Sequence, residues 1–279
     1  MARCASDDCN RWRPELIARH MRGVTIDGRW FCSQGCVERM ARTLLQGIRP
    51  RARGIPAVPP PRLGVLLRHR GSIDRAALDA AVAAQKDTGL RIGAQLQAMG
   101  LVDSWTVLRV LATQGGVSYL ARVDAASVVK APGGLARETV RALGLVPFRQ
   151  PENGQIKVAC AAPVPHAAIN ALAQLTGWHV QPYLVSDETW AALMDAYGSE
   201  IPAGAPAAPR AGLVQTTSLA DAAVRIAEAA LRARATRVRE AHWDPYTWVR
   251  VQGAAGIHDV LLARANSEET TCQADRTSR

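Results

Sequence analysis

The apolar and polar positions in the first half of the chain follow a pattern that is written twice. From Arg62 to Gln85 the order is arginine, leucine, glycine, then apolar residues at Leu67, Ile73, Leu78 and Val82, with Gly71 between the first two. From Arg91 to Gln114 the order returns through Ile92, Gly93, Leu96, Gly100, Val102, Val107 and Leu111. Each landmark recurs twenty-nine positions on, and only Lys86 to Leu90 separate the copies. A fixed offset of this kind marks an internal repeat. In each copy an Arg-apolar-Gly turn opens a short apolar segment, a glycine breaks it, and a helix is predicted to follow. Ala77, Leu78, Ala81, Val82 and Gln85 share one face of the first helix; Val107, Leu108 and Leu111 share one face of the second. Ser72 and Asp74, then Asp103 and Ser104, supply capping residues at the helix starts. Gly64 and Gly93 suit either a close approach of backbone or a positive φ.

Beyond Gln114 the pattern changes. Leu135 to Leu143 reads as a helix. Leu145 to Arg149 and Gln155 to Ala161 read as a hairpin across Pro151-Glu152-Asn153-Gly154, with Asn-Gly as the turn signal. Pro165 and His166 introduce a helix to Thr176, stopped by Gly177. Val180 to Val185 is then a strand, and Asp187 to Tyr197 a helix capped by Ser186 or Asp187. This αββαβα order predicts a compact sandwich of mixed elements. Ser218 with Asp221 starts a further helix along Leu219, Ala222, Ala223, Ile226, Ala230 and Leu231. The fold class expected is α+β: a small cysteine module over 1–48, a Pro/Arg linker over 49–61, and a main unit over 62–198. That unit divides into the tandem motifs, 62–114, and the sandwich, 115–198. A linker over 199–217, an α/β segment over 218–265 and a disordered tail over 266–279 complete the chain.

Two groups of residues carry candidate chemistry. Cys4 and Cys9, then Cys32 and Cys36, form two pairs of thiols spaced C-x4-C and C-x3-C, a pattern that suits tetrahedral sulfur ligation of zinc. In a reducing compartment such a cluster points to metal rather than disulfides. Four thiolates leave no open coordination position, so the zinc is expected to be structural, with the module either holding a partner or capping the fold. Its linker leads directly into Arg62, which places it near the repeat. The second group is Arg62 and Arg91. A guanidinium presents five donors in a fixed fork and bonds a phosphate or a guanine edge in pairs. Two such units side by side make a pseudo-symmetric site for a two-fold ligand.

The doubled pattern R-[LI]-G, apolar, G, apolar, spaced helix and Q, with its five-residue spacer, resembles the MshEN domain. This is the N-terminal domain of type II secretion and type IV pilus assembly ATPases, and in many members a cyclic di-GMP receptor. The resemblance implies that Arg62, Leu63, Gly64, Leu67, Gly71, Ile73 and Gln85 from the first copy contribute to binding one cyclic di-GMP. From the second copy it implies Arg91, Ile92, Gly93, Leu96, Gly100, Val102 and Gln114. The arginines would lie at the guanines and the apolar residues over the bases. Leu78, Val82, Val107 and Leu111 are expected to pack the helices instead. Leu145-Val146-Pro147, Val158-Ala159, Ala162-Pro163, Thr176-Gly177 and Tyr197-Gly198 extend the resemblance through the sandwich. The stretch Gly28 to Cys36 also resembles small treble-clef zinc modules of the MYM/TRASH kind. Thr236 to Tyr246, with Val249-Arg250-Val251, is a degraded echo of the segment that opens the second domain of the same ATPases. There Trp243 and Trp248 are expected to pack.

Charge and absences narrow the class. The chain carries 34 basic against 24 acidic residues, a net charge of +10, which suits nucleic acid, an acidic membrane or an anionic small ligand. No basic block with interleaved aromatics appears, so nucleic acid is not the favoured partner. No signal peptide or membrane span is read, and a soluble cytoplasmic protein is expected. Lys86, Lys130 and Lys157 are the only lysines, and none stands in a G-x-x-x-x-G-K-[ST] loop. Cys160 reads as a buried strand residue, and His166 and His179 as ordinary structural histidines. The reading is a non-enzymatic cyclic di-GMP receptor tied to secretion or pilus machinery. The alternative is a ligand-free adaptor of that machinery, docking through the zinc module.

Overall fold

The computed structural model describes residues 2–13, 23–47, 61–129, 132–198, 211–244 and 246–263. Most of the 49–61 linker, the first part of the 199–217 linker and the 266–279 tail fall outside these residues.

The N-terminal module opens with β1 (Ala2–Arg3) and β2 (Trp12–Arg13), paired antiparallel. β3 (Val24–Ile26) and β4 (Arg29–Phe31) form a hairpin turned by Asp27 and Gly28, both at positive φ. α1 (Gln34–Gly47) follows and buries Cys36, Val37, Ala41 and Leu45 on one face.

The repeat folds as four helices: α2 (Leu63–His69), α3 (Arg75–Thr88), α4 (Ile92–Ala98) and α5 (Ser104–Gly115). Leu63, Leu67, Ile73, Ala81, Leu96, Val107 and Val110 make their shared core. The Arg-apolar-Gly segment is therefore not a turn. It is the N-cap and first turn of a short helix, because the arginine alone is extended and the next residues are already helical.

The sandwich begins with β5 (Ser118–Tyr119), then α6 (Arg137–Leu143), β6 (Val146–Pro147), β7 (Gln155–Cys160), α7 (His166–Thr176), β8 (His179–Leu184) and α8 (Asp187–Gly198). The predicted element order is present. The sheet runs β5-β8-β7-β6, with β7 and β8 parallel across α7, β6 antiparallel to β7, and β5 added at the edge. Asn153 (φ 48°) and Gly154 (φ 74°) form the hairpin turn. Ser186 rather than Asp187 caps α8, its Oγ accepting from the Thr189 amide at 3.2 Å.

The C-terminal unit starts earlier than its pattern suggested. β9 (Ala211–Thr216) lies within the stretch read as linker and pairs in parallel with the last strand. α9 (Leu219–Ala233), β10 (Ala235–Trp243), β11 (Tyr246–Gly253) and β12 (Gly256–Ala263) complete a second sheet, ordered β10-β11-β12-β9. Its two faces are buried against different partners. Val249, Val251, Val260 and Leu262 share a core with α9 and the cysteine module. Trp243, Trp248 and Leu261 share the sandwich core, which bears out the packing role expected of both tryptophans. Arg250 on β11 stands opposite Asp259 on β12, and the two form a buried bidentate pair at 2.8 and 2.9 Å. Arg250 also donates to the Gly133 carbonyl at 3.2 Å, which ties this sheet to the sandwich. No helix among the described residues is long and apolar enough to cross a membrane.

Candidate functional site

The two copies of the motif are also copies in backbone geometry. Arg62 caps α2 with φ −61°, ψ 142°, and Arg91 caps α4 with φ −64°, ψ 145°. Arg70 and Met99 end these helices with the same φ −81°, ψ −1°, and Gly71 and Gly100 follow in the left-handed region at φ 71° and 68°. The closing bonds match too: Ser72 N–H to the Leu67 carbonyl and Leu101 N–H to the Leu96 carbonyl, each 3.0 Å. Asp74 and Asp103 then cap α3 and α5, accepting from the Ala77 and Thr106 amides at 2.7 and 2.6 Å. Local bonds made by the glycines and aspartates explain the repetition, since each sets a helix boundary within its own copy.

Gly64 and Gly93 resolve in favour of close approach. A Cβ on Gly64 would lie 2.6 Å from Leu78 Cδ1, and one on Gly93 would lie 3.0 Å from Leu63 Cδ2 and 3.1 Å from Val107 Cγ1. Both glycines let a short helix lie directly on its neighbours. The two copies interlock here, because Leu63 of the first seats on Gly93 of the second.

The proposed ligand residues divide by exposure. Arg62, Arg91, Gly71 and Gly100 are exposed; Gln85, Ile92, Val102 and Gln114 are half-buried. Gly64 and Gly93 are buried, as are Leu63, Leu67, Ile73 and Leu96, with Leu67 and Leu96 fully enclosed. Those four apolar side chains belong to the helical core. Of the four residues expected to pack, Val107 is buried and Leu78 and Leu111 are partly so. Val82 instead faces solvent at 45% exposure, since it lies beyond the strip of α3 that the other helices cover. Val65, Met99 and Trp105 are likewise large, apolar and exposed. Trp105 packs edge-on to Tyr119 at 4.9 Å between ring centroids. Period alone missed this pair, because Trp105 lies off the apolar face of α5 and Tyr119 lies beyond the repeat.

The two arginines are not in equivalent surroundings. Arg91 Nη1 donates to the carbonyl of Ala162 at 3.2 Å, reaching the loop between β7 and α7. Among the described residues the Arg62 guanidinium has no such partner. The segment before it is fixed instead, because Gln114 Nε2 donates to the Pro61 carbonyl at 2.8 Å. The last residue of the second motif thus anchors the start of the first. Gln95 is a further buried polar residue that the pattern did not single out. It accepts from the Thr88 hydroxyl at 2.6 Å and so joins the end of α3 to α4.

The cysteines form the second candidate site. The four sulfurs of Cys4, Cys9, Cys32 and Cys36 lie within 4.8 Å of one another. Cys9 and Cys32 are 3.5 Å apart, and Cys32 and Cys36 3.6 Å. Four sulfurs each about 2.3 Å from a tetrahedral zinc lie roughly 3.8 Å from one another, so the set fits. Burial, with hydrogen bonds from Cys9 and Cys36, pushes the Cys32 thiol up to about 12. Burial opposes ionisation of Cys36 as well, but hydrogen bonds from Ser33, Cys32, Cys4 and Cys9 outweigh it and bring that thiol down to about 6. Arg39 adds a donor, with Nη2 3.2 Å from Cys36 Sγ and Nε 3.0 Å from Ser6 Oγ. A guanidinium beside a thiolate cluster offsets part of its negative charge. Cys160 is fully buried on β7, its thiol raised to about 11 by burial, and it lies outside this cluster. His166 and His179 are exposed on α7 and β8 and take no part in it.

Comparison with known proteins covers part of the chain, and the family match lies in the sandwich and not in the repeat or the cysteine module. A family model described as the MshEN domain matches residues 117–203, beginning just after Gln114. The type IV pilus assembly ATPase PilB of Thermus thermophilus is 31% identical over 148 residues, covering 49% of this chain and 16% of its own length. The chain thus spans about one sixth of that relative. A solved structure of MshE with cdg is 25% identical and overlaps 49% of this chain and 99% of its own, with a TM-score of 0.39. The N-terminal domain of XpsE is 19% identical over 49% of this chain and 93% of its own, with a TM-score of 0.33.

Proposed function

We propose that this chain, which is homologous to the MshEN domain over residues 117–203, is a non-enzymatic receptor for cyclic di-GMP. The ligand would sit across the helical repeat, with Arg62 and Arg91 bonding its two guanine edges. The observation that carries this reading is the geometric identity of the two arginine positions, each the extended N-cap of a short helix held by the same capping bonds. Two guanidinium forks on equivalent frames suit a ligand made of two equivalent halves.

Burial assigns different duties to the other motif residues. Leu63, Leu67, Ile73 and Leu96 build and hold the frame, as do Gly64 and Gly93. Gly71 and Gly100 set its turns. Ile92 and Val102, both half-buried, offer the apolar contact for a base, with Gln85 and Gln114 flanking the helix ends. Cys4, Cys9, Cys32 and Cys36 hold a structural zinc, which suits a reducing, cytoplasmic setting. The partner would be a component of secretion or pilus-type machinery. A ligand-free adaptor of that machinery is favoured by one observation: much of the apolar part of the motif is already occupied by the helical core.

Titration of the zinc-loaded chain with cyclic di-GMP, and separately with cyclic di-AMP, tests the proposal. Saturable binding of one cyclic di-GMP per chain, with far weaker binding of the adenine analogue, is expected. Absence of cyclic di-GMP binding would leave the adaptor reading.

A further inference from the structure

The two half-sites differ in one respect that the motif does not specify. Arg91 reaches across seventy-one positions of sequence to bond the Ala162 carbonyl. The loop it bonds is held from a second side: a Cβ on Gly115, the last residue of α5, would lie 2.5 Å from Val164 Cγ2. The same loop leads directly into α7, whose first turn is fixed by the His166 amide on the Val164 carbonyl and the Ile169 amide on the Pro165 carbonyl, each at 3.0 Å. α7 in turn packs on β10, with Gln174 Nε2 donating to the Glu240 carbonyl at 2.9 Å. Arg91 therefore stands at the head of a continuous path from the repeat to the C-terminal sheet.

We propose that Ala162 is the positioning residue for the second fork, and that the Arg91–Ala162 bond couples occupancy of the repeat to the order of the loop and first turn of α7. A guanidinium with one donor on a fixed carbonyl keeps four donors for a ligand, and its plane is set before binding. A ligand that grips those donors holds the arginine at both ends and so tightens the loop. By linkage, whatever tightens the loop strengthens the ligand in equal measure. Among the described residues Arg62 has no such path, so the two half-sites bind through like chemistry but only one of them reports. This inference rests on the receptor reading for its ligand, whereas the bond itself does not.

Hydrogen exchange of the segment 162–170 in wild type, Arg91→Ala and Arg62→Ala, with and without cyclic di-GMP, tests it. Both arginines are exposed, so neither variant disturbs the core. Without ligand, Arg91→Ala is expected to speed exchange of the His166 and Ile169 amides roughly three- to tenfold, as loss of one partly exposed charge-assisted bond implies. Arg62→Ala should leave them at the wild-type rate. Cyclic di-GMP should slow the same amides in wild type and not in Arg91→Ala. Unchanged exchange in Arg91→Ala without ligand would overturn the positioning role. Binding of cyclic di-GMP that leaves the wild-type segment unaltered would overturn the coupling while the receptor reading stood. Faster exchange in Arg91→Ala together with no binding to wild type would overturn the receptor reading, and the coupling with it, and leave the bond as a structural contact.

Discussion

At the scale of single residues, Gly64 and Gly93 are requirements of packing, whatever the repeat binds. Gly64→Ala places a methyl within 2.6 Å of Leu78 Cδ1, well inside contact distance. Overpacking of this kind costs about 1–3 kcal/mol, so a denaturant titration should show Gly64→Ala destabilised by that order. Gly93→Ala, whose nearest neighbours are side chains at 3.0 and 3.1 Å, should be milder. Glu240 makes the opposite case. Its Oε2 is buried with no partner among the described residues, and burial raises its carboxyl above the ordinary range. An acid whose pKa is higher folded than unfolded favours folding when protonated, so its penalty grows as pH rises through the carboxylate range. Glu240→Gln should therefore raise the melting temperature at neutral pH, with the difference fading as pH falls below that range. A melting curve of equal midpoint at pH 7 would show that the carboxylate finds water. Residue identities made the Gly71 and Gly100 turns and the cysteine cluster legible from sequence, because each type has a narrow chemistry. The burial of Leu67 and Leu96 was not legible. An apolar residue that lines a ligand and one that packs a helix carry the same hydrophobicity, and only the neighbouring helices decide between them.

At the scale of elements, local rules worked where local bonds define the element. The Asp74 and Asp103 caps, the Gly71 and Gly100 turns and the Asn153-Gly154 hairpin all follow from side chains acting within a few residues. β9 escaped the same rules. Ala211 to Thr216 has no strong strand period and is placed by parallel pairing with β12, more than forty residues away. The Arg250–Asp259 pair was also invisible from sequence, since the register that brings them together depends on the turn between β11 and β12. With both side chains 1% exposed, removing one partner strands a buried charge. Asp259→Asn should cost about 3–5 kcal/mol in an unfolding titration. A loss below that range would mean that water or the Gly133 carbonyl compensates Arg250.

For the whole molecule, the largest departure from expectation concerns the cysteine module. Its linker enters the repeat at Pro61, yet its core is shared with α9 and the C-terminal sheet. The Asp27 amide donates to the Thr236 carbonyl at 2.9 Å, which joins residues from opposite ends of the chain. Sequence proximity to Arg62 said nothing about this, because a linker fixes the reach of a module and not the face on which it docks. The structure packs the module on the C-terminal unit, through the core it shares with α9 and the second sheet. A metal held by the four cysteines would then contribute to the folding of both this module and the C-terminal unit. Metal analysis is expected to give one zinc per chain. Chelation should lower the unfolding midpoint and expose amides of α9 to exchange, while those of β7 and β8 keep their protection. Equal loss across both sheets would show that the metal supports the molecule as a whole.

The central claim, that two like arginine frames grip one two-fold nucleotide, is tested most directly by calorimetric titration of cyclic di-GMP into wild type, Arg62→Ala and Arg91→Ala. A bidentate contact to a guanine edge is worth about 1–3 kcal/mol, so each variant should bind roughly ten- to a hundredfold more weakly than wild type. Wild type should bind a single ligand per chain. An affinity unchanged in both variants would contradict the account.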